Sequence, residues 1–90
     1  MTVFDSSIAE ARRCSALFRF GREVEAALLM VELFDGIQAR LLQASAEQHQ
    51  VWAQLLMQMF GCQERQDWLG LADTLEYEVV QLLQRVEASH

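Results

Sequence analysis

The clearest helical pattern in the sequence lies in residues 67–87, which read DWLGLADTLEYEVVQLLQRVE. Apolar residues recur there at intervals of three and four, the spacing that places side chains on one face of an α-helix. This apolar face consists of Trp68, Leu71, Ala72, Leu75, Val79, Leu82, Leu83 and Val86. The pattern predicts an amphipathic helix that must bury this face against the rest of the chain.

The remainder of the chain predicts three further helices and no strands. Proline is absent and the sequence has only 4 glycines, so there is little turn chemistry for a β-sheet. Capping-box spacings at Ser7–Glu10 and Ser45–Gln48 predict helix starts, while Gly21 and Gly61 predict helix ends. We therefore expect a single all-α domain over residues 1–90, either a four-helix bundle or paired α-hairpins. The expected helices lie near 6–20, 22–44, 46–60 and 66–87.

The second predicted helix is the most apolar and suggests a dimer. Its apolar residues cover about half of the helix circumference, which is more than one neighbouring helix can cover. We expect a homodimer interface on this face, although the pattern also allows the face to be intramolecular core. The expected dimer residues are Met30, Leu33, Phe34, Ile37 and Leu41.

Charge and composition narrow the possible partners and the compartment. The formal net charge is −6, whereas nucleic-acid binding requires a basic surface, so no nucleic-acid partner is expected. No run of about 18 apolar residues exists, so no membrane span is expected either. The 2 cysteines, Cys14 and Cys62, form no C-x-x-C pair and no export signal precedes them. These features predict a cytoplasmic protein.

Residues that would carry chemistry are scarce. The 2 histidines, His49 and His90, have no second ligand at helical spacing, and no phosphate-binding loop or nucleophile motif is present. We therefore predict a non-enzymatic protein with no catalytic, metal-binding or cofactor-binding residue. The enzymatic alternative is a helical dimer of the chorismate mutase type, which would need several convergent cations. Lysine is absent and arginines cluster in the first helix, which disfavours that alternative.

Tyr77 departs from the amphipathic pattern of the last helix. On a helical wheel it points away from the apolar face, with Leu69 and Val80 toward the same flank. Aromatic side chains on such faces are enriched at interfaces. We therefore predict a partner-binding surface formed by Leu69, Tyr77 and Val80. The alternative is that Tyr77 packs against a neighbouring helix of the same chain.

Residues 67–79 also resemble a known family. The segment matches the pattern D-[W/Y]-x-x-L-A-D-x-L-E-Y-E-[L/V], which is similar to that of small flagellar export chaperones of the FliT-like type. The matching residues are Asp67, Trp68, Leu71, Ala72, Asp73, Leu75, Glu76, Tyr77 and Glu78. The resemblance implies a helical cytoplasmic chaperone or adaptor that holds a flagellar or secretion substrate through an apolar helix face. A structural homodimer of another role is the remaining alternative.

Overall fold

The computed structural model describes residues 3–88 and consists of four helices. They are α1 (Val3–Arg19), α2 (Glu23–Arg40), α3 (Ala46–Glu64) and α4 (residues 68–88). A 3₁₀ turn, Leu41–Gln43, follows α2. Helix α4 consists of Trp68–Asp73, a π-helical turn at Thr74–Val79, and Val80–Ala88. No strand occurs in residues 3–88, so the prediction of an all-α bundle is confirmed.

Short connections join successive helices, as in an up-and-down bundle, and α1 packs against both α2 and α4. Cys14 in α1 donates its S–H to the backbone carbonyl of Ala26 in α2, at 3.3 Å. Ser15 donates its hydroxyl to the carbonyl of Ala72 in α4, at 2.9 Å. Helix α3 packs against α4, whereas the backbones of α2 and α3 approach each other less closely. The seam between α2 and α3 is therefore the open side of the bundle.

The predicted apolar face of α4 forms the centre of the core. Seven of its eight members are buried: Leu71, Ala72, Leu75, Val79, Leu82, Leu83 and Val86. Trp68 is half-buried and stacks on Phe18 of α1, with ring centroids 5.7 Å apart and planes 9° apart. The periodicity of residues 67–87 thus identified the helix against which both α1 and α3 pack.

The predicted dimer face on α2 is wrong for this fold. Met30, Leu33, Ile37 and Leu41 are all buried in the core of a single chain. Phe34 is half-buried and packs edge-on against Trp52 of α3, with ring centroids 5.4 Å apart. These side chains close the α2 side of the bundle, so they are not available to a second copy. This face of α2 is therefore core within one chain, which was the alternative prediction.

Two of the predicted helix ends agree with the structure. Gly21 has a φ of 76° and closes α1, with Arg22 N–H donating to the carbonyl of Leu17 and Gly21 N–H to that of Phe18. This is the Schellman arrangement, which favours glycine because the left-handed conformation has no Cβ clash there. Ser45 and Gln48 form the predicted capping box, with both hydrogen bonds at 3.1 Å.

Two other predicted ends are wrong. Helix α1 already includes Val3 rather than beginning at Ser6 or Ser7, because Phe4 is buried one turn before Ile8 and extends the apolar face. Helix α3 continues through Gly61 to Glu64. Its Schellman cap is formed by Gln66, at φ 56°, with Asp67 N–H donating to the carbonyl of Cys62.

Candidate protein-binding surfaces

Most large apolar side chains that remain exposed lie on two surfaces of the bundle. The first, the α4 surface, consists of Leu69 and Tyr77, which are 62% and 64% exposed. The second, the α2–α3 surface, consists of Val24, Leu28, Val31, Met57 and Phe60. Exposed apolar patches on a small protein commonly mark interaction sites.

The α4 surface retains two of the three residues predicted for partner binding. Leu69 lies in the first turn of α4 and Tyr77 in the π turn, two turns further along. Val80 is the exception, since only 4% of it is exposed. A π turn holds more residues than an α turn, so the residues after it are rotated relative to an ideal wheel. Val80 therefore joins Val79 in the core, and its assignment to the partner-binding surface is wrong.

Charged groups surround the α4 surface. Arg19 of α1 donates from one guanidinium nitrogen to Asp73 at 2.6 Å and to Glu76 at 2.9 Å. The hydrogen bond to Asp73, followed by that to Glu76, raises the pKa of Arg19. Glu78 accepts a hydrogen bond from the amide of Gln58 at 3.1 Å. Three carboxylates and one guanidinium leave this region with a net negative charge.

The α2–α3 surface spans the open seam of the bundle. Only residues 41–45 connect α2 to α3, so the two helices run antiparallel, and the contact between Phe34 and Trp52 gives the level at which they meet. Residues before Phe34 in α2 therefore lie at the level of residues after Trp52 in α3. This register places Val31 and Leu28 on the same stretch of the bundle as Met57 and Phe60. Half-buried Leu56 lies on the flank of α3 that also carries Trp52 and Phe60.

The composition of the α2–α3 surface differs from that of an ordinary solvated helix face. No Asp, Glu, Lys or Arg occurs from residue 48 to residue 63, and none occurs from residue 26 to residue 31. Solvent-facing sides of surface helices normally carry charges, whereas the cores of protein interfaces are depleted of them. We did not predict this surface from the sequence, although the uncharged stretch in α3 was a visible signal for it.

The cysteines are buried and unpaired, and they lie in different parts of the bundle. Cys14 is fully buried between α1 and α2, and Cys62 is 5% exposed near the end of α3. Burial raises the pKa of the Cys14 thiol to about 12. A thiolate is the reactive form of cysteine, so Cys14 is suited to packing rather than to nucleophilic chemistry.

The arrangement of cations gives no support to the enzymatic alternative. All 7 arginines lie within residues 3–88, and none of them is buried. A shallow groove of about 240 Å³ between α3 and α4 is lined by one arginine, Arg85, and one carboxylate, Glu78. Within the described residues, no cluster of His, Cys, Asp and Glu has a metal-binding arrangement.

Comparison with known proteins adds no relative. No protein family, curated protein or solved structure matches the chain. None of the helices in residues 3–88 combines the length and apolarity that crossing a bilayer requires.

Proposed function

We propose that this chain is a small non-enzymatic cytoplasmic protein that binds an amphipathic helix of a partner protein on the α4 surface. The observation that carries the proposal is the exposure of Leu69 and Tyr77, two large side chains on a helix whose opposite face is fully used in the core. Tyrosine is enriched among the residues that dominate binding energy at interfaces. Apolar anchors inside a charged rim are also the usual anatomy of such sites.

The charge of the rim indicates the chemistry of the partner. Arg19 is engaged by both Asp73 and Glu76, so the region offers an excess of carboxylates to an incoming helix. A complementary partner helix carries an apolar stripe flanked by lysine or arginine. Binding of this kind weakens as salt is added, because exposed charge pairs are screened.

Residues 67–79, which resemble a segment of export chaperones, have distinct roles in the structure that are consistent with this resemblance. Asp67 caps α4 by accepting a hydrogen bond from Gly70 N–H at 3.0 Å, and Leu71, Ala72 and Leu75 lie in the core. Tyr77 is left free for a partner. On this basis we propose a role like that of a flagellar or secretion export chaperone or adaptor, with the two free thiols suited to a reducing compartment.

A synthetic helix tests the proposed binding directly. The probe is a fluorescently labelled amphipathic peptide of leucine and lysine, about 18 residues long so that it spans the length of one bundle helix. Fluorescence anisotropy gives its Kd for the wild type and for Tyr77→Glu. We expect the substitution to weaken binding at least about tenfold, because it places a charge in an apolar contact.

Whether Tyr77→Glu weakens or tightens peptide binding distinguishes apolar docking from simple charge attraction. Tyr77→Glu makes the protein more acidic, so a purely electrostatic attraction for the basic peptide would tighten. Gln84→Glu is the matched control, since it adds the same charge at an exposed position of α4 without removing an apolar side chain. Equal or tighter binding by Tyr77→Glu relative to Gln84→Glu would reject the α4 surface as the binding site.

A further inference from the structure

We propose that the α2–α3 surface joins two copies of this chain into a homodimer. This inference does not use the α4 surface and is independent of the proposed partner binding. Its starting point is the open seam between α2 and α3, along which Val24, Leu28, Val31, Met57 and Phe60 are between 50% and 75% exposed. The predicted dimer residues lie on the inner side of α2, whereas this surface uses its outer side.

Charge favours a second copy as the occupant. Each chain carries a net charge of −6, so two copies repel each other unless they meet through a face without carboxylates. Residues 48–63 of α3 and 26–31 of α2 contain no carboxylate, and on the same helix faces the next ones, Asp35 and Glu64, follow one turn after Val31 and Phe60. A basic partner would meet carboxylates only at the edge of this surface, at Glu25, Glu32 and Asp35. A neutral apolar face is complementary to itself, as an isologous two-fold interface requires.

The apolar area is of the size that a dimer needs. A stable interface buries about 800 Å² per partner. About 65% of a homodimer interface is apolar, which corresponds to about 520 Å² of apolar surface per chain. The five side chains expose on the order of 500 Å², if each is taken as about 150 Å² when fully exposed. The α2–α3 surface can therefore supply the apolar part of such an interface without rearrangement of the core.

The acidic residues beside this surface predict an unusual salt dependence. Glu32 and Asp35 are exposed on α2 next to the apolar residues, and Glu25 is exposed there in an ion pair with Arg22 at 3.6 Å. A dimer therefore brings carboxylates of both copies to the interface edge. Screening of this repulsion strengthens the dimer as ionic strength rises. A basic partner helix on the same surface would show the opposite dependence. The direction of the salt effect therefore distinguishes the two occupants.

The experiment is sedimentation velocity over about 1–200 µM protein, a range bracketing the micromolar Kd values of modest interfaces. We compare the wild type with Leu28→Glu and Leu69→Glu. These two substitutions form a matched pair, because the leucines are 67% and 62% exposed on different surfaces. We expect a dimer for the wild type and for Leu69→Glu. For Leu28→Glu we expect a Kd roughly 100-fold higher, because each copy would bury a carboxylate in the interface.

Several outcomes would overturn the dimer. These are a wild type that is monomeric at the highest concentration, a dimer weakened by added salt, or equal dimerisation by Leu28→Glu and the wild type. Met57→Glu provides a second variant should Leu28→Glu lose helical circular dichroism, and it is expected to give the same loss of dimer. If the wild type is monomeric but Tyr77→Glu still weakens peptide binding, only the dimer is rejected. If the wild type dimerises but Tyr77→Glu leaves peptide binding unchanged, only the proposed function is rejected.

Discussion

Single residues in this protein are best understood from their place in the core, and Cys14 is the clearest case. Its side chain is fully buried and its S–H donates to the carbonyl of Ala26. The sequence contains no C-x-x-C pair and no nucleophile motif, which is consistent with a thiol that serves in packing. What the sequence did not provide was the neighbour, because the contact joins residues of two different helices.

The raised pKa of Cys14 predicts a loss of stability at high pH. Its pKa rises from 9.0 to about 12 on folding, so the folded chain keeps a proton that the unfolded chain releases above about pH 9. The free energy of unfolding is therefore unaffected by this group below pH 9 and falls by up to about 1.4 kcal/mol per pH unit above it. Urea denaturation between pH 8 and about 11, within this titration range, measures the slope.

A Cys14→Ala variant is the control for this pH dependence. It should be less stable at neutral pH by about 1 kcal/mol, because a buried hydrogen bond is lost. Its stability should also decline less steeply than that of the wild type above pH 9, since the titrating group is gone. Parallel pH profiles for the two proteins would mean that the Cys14 thiol is not protected by burial.

At the level of helices and turns, the two left-handed caps are occupied by different residue types. Gly21 closes α1 with a φ of 76°, whereas Gln66 closes α3 with a φ of 56°. A side chain in this region costs roughly 1–2 kcal/mol, which glycine avoids. The cap of α3 therefore carries a cost that the cap of α1 does not.

Glycine exchanges at these caps should act in opposite directions. Gly21→Ala should destabilise the protein by about 1 kcal/mol, and Gln66→Gly should stabilise it by about 0.5–1 kcal/mol after the greater entropy of unfolded glycine is counted. Gly36→Ala is the helical control, since a Cβ there meets nothing within 4 Å. Gly36→Ala should raise the free energy of unfolding by up to about 1 kcal/mol, because alanine has the higher helix propensity. Destabilisation by Gln66→Gly, in urea melts, would contradict the assigned cap.

Helix ends were predictable only where a side chain supplies the capping atoms or a glycine lies at the turn. The Ser45–Gln48 box is local chemistry, and it agrees with the structure. The same spacing at Ser7–Glu10 lies inside α1, because burial of Phe4 favours an earlier start. Gly61 resembles a stop signal but continues the helix, and the stop occurs at Gln66, which has no distinctive composition.

For the molecule as a whole, the number of helices and the central role of α4 followed from the sequence, but the orientation of α2 did not. Periodicity identifies a buried face only when the opposite face is polar. Helix α2 is apolar on both sides, with Met30 and Leu33 inside and Leu28 and Val31 outside. Which side faces the core depends on the packing of α1 against it. The residues predicted for a dimer interface therefore lie on the side that faces the core.

Of the three residues predicted for partner binding, the sequence placed two correctly on the surface and misplaced one. Leu69 and Tyr77 are exposed as predicted, because the apolar face of α4 is strongly one-sided. Val80 was misplaced because an ideal helical wheel assumes an α-helix throughout, and the π turn at Thr74–Val79 breaks that assumption.

Methionine oxidation tests most directly whether the inner side of α2 is core and the α2–α3 surface is a dimer contact. Hydrogen peroxide converts accessible methionines to sulfoxides, and peptide mass spectrometry gives the rate at each site. Met57 is 75% exposed, whereas Met30 is 4% and Met59 0% exposed. We predict slow oxidation of Met30 and Met59 at every protein concentration. Met57 should oxidise rapidly in dilute protein and become protected as the concentration rises. Oxidation of Met30 as fast as that of Met57, or a Met57 rate independent of concentration, would contradict this account.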